Sequence, residues 1–212
     1  MRFTNNDGTD ITLGIKGFTF CNSLAAKNVP GSEVFSGPER EKVNGRIVSQ
    51  GRFVPPHDPN AIVENLTLEF EQGRLVRWHA DKGQKHFEDA IGIDEGAKYI
   101  GEIGIGTNPR LRRHVVNGLL VEKIGGSFHI ALGNAYTYTN YADEPVIVDN
   151  GNRSQIHWDI TTMLYGKQGC MFIDGRKVME NGLFLNPAYD VFNRGWAAVP
   201  EADRPAYWKS RL

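Results

Sequence analysis

Twenty-four glycines stand among the 212 residues of this chain, and many of them punctuate short apolar runs. Glycine at that frequency breaks helices and supplies tight turns, so the pattern favours short strands with close connections. Residues 10–18 alternate apolar with small or polar side chains at period two, as a half-buried strand does. A second strand is expected over residues 45–53, ended by Pro55-Pro56. Residues 64–71 alternate through Leu66, Leu68 and Phe70, Gln72-Gly73 turns the chain, and Leu75, Val76 and Trp78 continue, which predicts a hairpin. Asp174-Gly175 predicts another hairpin, between residues 170–173 and 176–179. A helix is expected from Asp81, with Phe87, Ala90 and Ile91 on one face and Gly92 closing it. Three more apolar strands are expected at residues 99–105, 127–132 and 155–164. The resulting fold class is α+β (mixed α/β): strand-rich, with hairpins, a few helices and long loops. No second domain boundary is visible, so residues 1–212 read as a single domain. Residues 187–212, with Trp196, Trp208 and several prolines, read as a tail that wraps the surface or makes an assembly contact.

Charge narrows the partners. With 24 basic and 25 acidic residues, nothing drives the chain toward nucleic acid or an anionic membrane. The basic cluster of Arg110, Arg112, Arg113 and His114 reads as a solvated helix face or loop. Cys21 and Cys170 lie far apart without metal-type spacing, as two free thiols in a reducing compartment would. The N-terminus carries no apolar leader and no run of eighteen apolar residues occurs, so a cytoplasmic location is expected.

Several polar residues resist this bland account. In His157-Trp158-Asp159, an imidazole and a carboxylate two residues apart on a strand project from the same side, while Ile156, Trp158 and Ile160 occupy the other. His129 lies in Ser-Phe-His-Ile-Ala-Leu-Gly and Glu102 in Ile-Gly-Glu-Ile-Gly-Ile, both among apolar neighbours. A carboxylate inside an apolar strand is expensive unless it is paired or bound to a cation. Glu33 is expected in an irregular loop over residues 27–38, and Glu122 next to Lys123 has the plain reading of an ion pair. Taken singly, each has an ordinary structural explanation. Taken together, Glu33, Glu102, Glu122, His129, His157 and Asp159 form an O/N donor set without thiolate. Such a set suits two divalent ions (Zn²⁺, Co²⁺, Mn²⁺ or Mg²⁺) rather than a structural zinc. Paired ions bridged by carboxylate and water are a known way to hydrolyse peptides. No dinucleotide fingerprint, His-Glu-x-x-His helix or Gly-x-Ser-x-Gly elbow is present.

Four runs carry a resemblance: Asn-Val-Pro-Gly-Ser-Glu-Val-Phe at 28–35, Gly-Glu-Ile-Gly-Ile-Gly-Thr-Asn at 101–108, Glu-Lys-Ile-Gly-Gly-Ser-Phe-His-Ile-Ala-Leu-Gly-Asn-Ala-Tyr at 122–136, and Ser-Gln-Ile-His-Trp-Asp at 154–159. In order and separation they resemble the aminopeptidase T and aminopeptidase S metallopeptidases, also called thermophilic leucyl aminopeptidases, over residues 9–183. The resemblance implies that Glu33 and Glu102 are metal ligands, Glu102 to both ions, that Glu122 is an acidic residue near them, and that His129, His157 and Asp159 complete the set. Tyr136 matches an active-site tyrosine. It further implies release of an N-terminal amino acid from a peptide with a free N-terminus. In that reading Glu102 or Glu122 shuttles the proton, and the Tyr136 hydroxyl stabilises the oxyanion. Family members carry a further N-terminal domain that helps to enclose substrate and to form a homodimer, and this chain begins near the start of the metal-binding domain. Two alternatives stand beside this reading. One is an Fe(II)-dependent ring-opening dioxygenase of the dihydroxypyridine type, which resembles the family in fold. The other is a non-catalytic metal-binding or assembly module. The segment 137–152 is expected to be a lid or a surface loop.

Overall fold

The computed structural model describes residues 1–25 and 28–205. In chain order the elements are β1 (Arg2–Thr4), β2 (Asp10–Leu13), β3 (Cys21–Ser23), β4 (Glu33–Ser36), β5 (Val43–Phe53), β6 (Val63–Glu71), β7 (Arg74–Lys82) and α1 (Gln84–Ile91). Then follow β8 (Ile100–Gly106), β9 (Ser127–Gly133), β10 (Asn140–Tyr141), β11 (Glu144–Pro145), β12 (His157–Met163), β13 (Cys170–Ile173), β14 (Arg176–Glu180), β15 (Leu183–Phe184) and α2 (Asp190–Arg194). One sheet has eight strands in the order β15-β14-β13-β1-β2-β5-β6-β7. A second has five in the order β12-β9-β8-β4-β3, and β10 and β11 form a small ribbon. The architecture is strand-rich α+β, as the glycine punctuation predicts.

Period-two alternation decides how the sheets meet. Phe128, Ile130 and Leu132 of β9, Ile100, Ile103 and Ile105 of β8, and Trp158 and Ile160 of β12 join Phe3, Ile11, Val43, Ile47, Leu66 and Leu68 of the larger sheet in one core. Phe3 stacks on Phe128 across the interface, with ring centroids 4.1 Å apart. Each strand of the five-stranded sheet therefore has a second face turned away from this core, and the polar residues of the sequence lie on it.

The hairpins at Gln72-Gly73 and Asp174-Gly175 form with positive φ at both turn residues, as two-residue connections require. Several boundaries differ from expectation. β2 ends at Leu13 rather than continuing to residue 18, and β7 runs through Asp81 to Lys82, so α1 begins only at Gln84. Pairing to β6 holds those residues: Glu64 lies opposite Lys82 and Leu66 opposite Ala80. The loop expected over residues 27–38 yields β4 instead. Its short run Glu-Val-Phe-Ser gains ladder bonds to both β3 and β8, which hold four residues too few to mark a strand by alternation. The basic run at 110–114 is a loop, not a helix, and it is not wholly solvated. Arg112 donates to the carbonyls of Phe192 and Asn193 and lies over the Tyr165 ring, tying the α2 segment to the body. Residues 137–152 include the β10–β11 ribbon, whose Tyr141 packs edge-on against Phe35. Both described cysteines are free thiols. No described helix is long and apolar enough to cross a membrane. Trp208 lies outside the described residues.

Candidate metal centre

The outer face of the five-stranded sheet gathers the predicted residues through strand register. Across β12, β9 and β8, Asp159 stands opposite Ala131, and Ala131 opposite Glu102. The small alanine leaves the space into which both carboxylates lean. On the next row His129 stands between Thr161 and Gly104, and Gly104 faces Phe35 of β4. Glu33 lies at the start of β4, opposite Gly106. A Cβ on Gly104 would come within 2.2 Å of the His129 ring, so only glycine lets the imidazole lie across β8. An irregularity between Ile100 and Glu102 inserts Gly101, which allows Ile100 and Ile103 to face the core while Glu102 faces out.

The structure brings all six predicted donors together. Glu102 is the hub: its Oε2 lies 3.1 Å from His157 Nε2 and its Oε1 lies 3.6 Å from His129 Nε2. His157 Nε2 lies 3.7 Å from Asp159 Oδ1, and His129 Nε2 lies 3.8 Å from Glu33 Oε2. Donor atoms of Glu102, His157 and Asp159 fall within 4.8 Å of one another. The His157 Nδ1–H donates to the Asn134 carbonyl at 2.7 Å, so that in the neutral ring the lone pair lies on Nε2. Tyr136 packs its ring 5.2 Å from His157 and, with Tyr138, Tyr141 and Phe35, forms an aromatic wall over the site. A cleft of about 380 Å³ opens beside His157 and Asp159, with Phe53, Pro55, Val116, Val121 and Trp158 in its walls. A larger apolar cavity of about 930 Å³ touches none of the six.

Lys123 is the site residue whose importance the sequence did not disclose. Its side chain is 0% exposed, and Nζ donates to Glu33 Oε1 at 2.6 Å and to Glu122 Oε2 at 2.5 Å. The sequence reading paired Lys123 with Glu122, and that pair exists, but the contact with Glu33 joins residues ninety apart. The available signal was a lysine next to Ile124 and two residues after Val121, both buried. The single turn at Val121–Lys123 is held in place from two sides. Thr161 of β12 donates to the Val121 carbonyl at 2.9 Å, and the Asn108 N–H donates to the Lys123 carbonyl at 3.1 Å.

Four buried atoms aim into the cluster without a hydrogen-bond partner among the described residues: Glu33 Oε2, His129 Nε2, His157 Nε2 and Asp159 Oδ1. Buried polar atoms left unpaired are expensive, and a convergent set of oxygen and imidazole donors is what a divalent cation requires. The donors therefore fit metal. Their titration is strongly perturbed. Burial would raise Glu102, yet the two imidazoles outweigh it and hold the carboxyl down to about 2. Burial would lower both histidines, but Glu102 and the neighbouring carboxylates push His129 up to about 9 and His157 up to about 10. Burial, reinforced by the charge of Asp159, pushes Glu122 up to about 7. Burial also raises Glu33 and Asp159 above the ordinary carboxylate range. Burial and then the carboxylates raise Tyr136 far enough that its hydroxyl stays a donor.

The family model described as thermophilic metalloprotease (M29) matches residues 1–184. The chain belongs to the M29 family. Among relatives of this M29 chain, aminopeptidase AmpS of Bacillus subtilis is 32% identical over 157 residues, 70% of this chain and 36% of that protein. The structure of wild-type AmpT from Thermus thermophilus superposes with a TM-score of 0.71 at 25% identity, over 87% of this chain and 49% of that one. The 2,5-dihydroxypyridine dioxygenase of Pseudomonas putida KT2440 superposes with a TM-score of 0.65 at 18% identity, over 89% of this chain and 55% of that one, a likeness of fold alone. The M29 chain thus spans little more than a third of the curated relative's length and about half of the solved one's. Membership of a metallopeptidase family implies divalent metal as cofactor.

Proposed function

We propose that this chain carries the hydrolytic centre of an aminopeptidase, which removes the first residue from peptides with a free N-terminus. The observation that supports this best is the placement of Glu102, whose two oxygens face two different imidazoles. A carboxylate so placed suits a bridge between two ions. Glu102, His157 and Asp159 would hold one, and Glu102, His129 and Glu33 the other. Two divalent ions, Zn²⁺, Co²⁺, Mn²⁺ or Mg²⁺, supply an activated water and a polarised carbonyl when bound. The protein's own groups do the rest. Glu122, with a carboxyl pushed up to about 7, is suited to take a proton and pass it to the leaving amine. The Tyr136 hydroxyl, kept protonated by burial, donates to the developing oxyanion. The aromatic wall beside His157 limits water at the reacting centre. In this reading residues 1–212 act as one catalytic domain with a C-terminal tail from residue 187.

The test is hydrolysis of leucine p-nitroanilide by the chain loaded with cobalt or zinc, alongside His157→Ala. Turnover is expected with metal, and the variant is expected to lose turnover by at least a hundredfold together with one bound ion. An active His157→Ala would refute the mechanism. Two bound ions without turnover would support the non-catalytic metal-binding module, and a single bound iron with oxygen uptake would support the ring-opening dioxygenase.

A further inference from the structure

Lys123 has no part in the reaction described above, although its ammonium lies among the carboxylates of the acidic cluster. Its side chain is wholly buried, and its Nζ bonds one oxygen of Glu33 and one of Glu122. The remaining Glu33 oxygen, Oε2, has no hydrogen-bond partner among the described residues and faces His129 Nε2 at 3.8 Å. The ammonium is itself held from the sheet, because the turn that carries it is anchored to Thr161 and to Asn108. We infer that Lys123 is a positioning residue of the metal centre: it clamps Glu33 through Oε1 so that Oε2 alone is presented, beside His129, to the second ion. The inference rests on the two-ion reading of the site and extends it to a residue that touches neither ion.

The physical reason is geometric. A free carboxylate on a glutamate rotates and can bind a cation with one oxygen or two. A carboxylate with one oxygen bound to a buried ammonium can offer only the other, at a fixed place. Partners behind a metal ligand typically change metal affinity by about 10–100-fold when removed. Simple Coulomb attraction predicts the opposite: removing a positive charge should strengthen cation binding. The two expectations have opposite signs, so the experiment is decisive.

Co²⁺ binding to the chelator-treated chain is measured by calorimetry, with the visible d–d spectrum recorded at each addition, for the natural sequence, Lys123→Met and Lys123→Gln. The expected result is two ions in the natural chain. In Lys123→Met the ion at Glu102, His157 and Asp159 keeps its affinity within about threefold, which also reports a folded site. The second ion weakens at least tenfold, and its absorption per ion drops as the released Glu33 adds an oxygen to the coordination sphere. Lys123→Gln keeps a hydrogen-bond donor without the charge and is expected to fall between the two; it is read alone if Lys123→Met does not fold. A second ion bound as tightly as in the natural chain, with the same spectrum, overturns the clamp. Tighter binding overturns it as well, and makes the ammonium a competitor of the cation. Absence of a second ion from the natural chain itself refutes the two-ion reading instead.

Discussion

His129 and His157 carry protons that metal must displace. Both are raised above the ordinary imidazole value of 6.5, to about 9 and about 10, chiefly by Glu102 after burial has worked the other way. A group whose folded value is raised stabilises the fold fully below its unfolded value and loses that contribution as pH climbs through the folded value. For the imidazoles the loss runs from about pH 6.5 to pH 10. Glu122 works in the same direction over a lower window: from about pH 4.5 to pH 7 the unfolded carboxyl has released its proton while the folded one still holds it. The metal-free chain is therefore expected to lose melting temperature steadily between pH 5 and 9. Excess cobalt should reverse the slope, since neutral imidazoles are the ligands. Thermal scans with and without chelator check this, and a metal-free melting temperature that rises with pH would contradict the assignment of the raised groups.

At the scale of the element, the site exists because two of its strands, β8 and β9, place small residues where large ligands must pass. Gly104 and Ala131 lie in the same two rows as His129, Glu102 and Asp159. Gly104→Ala puts a methyl group within 2.2 Å of the imidazole, so the ring must move although β8 keeps its ladder to β9. An overpacked buried position costs about 1–3 kcal/mol. The expected outcome is a loss of that order in urea unfolding with chelator present, together with loss of the ion nearest His129 and retention of the other. Unchanged uptake of both ions would mean that His129 is not a ligand. The bulge at Gly101 matters as much, because without the extra residue Glu102 would turn into the core and Ile103 out of it.

For the whole molecule, the two sheets share one core on one side of β8, β9 and β12, and the site occupies the other side. Stability and chemistry are therefore separable. Phe3 lies in the large sheet, is fully buried and stacks on Phe128 in the core shared by the two sheets. Phe3→Ala is expected to cost about 3–5 kcal/mol in chemical denaturation while leaving metal stoichiometry unchanged in the folded fraction. A change in stoichiometry would show that sheet packing also sets the geometry of the donors. The chain matches 36% of the length of the Bacillus aminopeptidase.

Local sequence was enough to determine strand-rich character, both two-residue hairpins, and the two faces of β12. Those properties depend on side-chain alternation and on turn residues a few positions apart. It was also enough to mark Glu102, His129, His157 and Asp159 as polar groups in apolar strands, where charge is too costly to be idle. It was not enough to find β4, which is a strand only because β3 and β8 flank it, nor to set the start of α1, which waits on pairing between β6 and β7. Only the tertiary structure decided that Lys123 meets Glu33, that Ala131 and Gly104 clear the space between the ligands, and that Glu102 turns outward at a bulge. Register and long-range burial fix these contacts, and neither is a property of neighbouring residues.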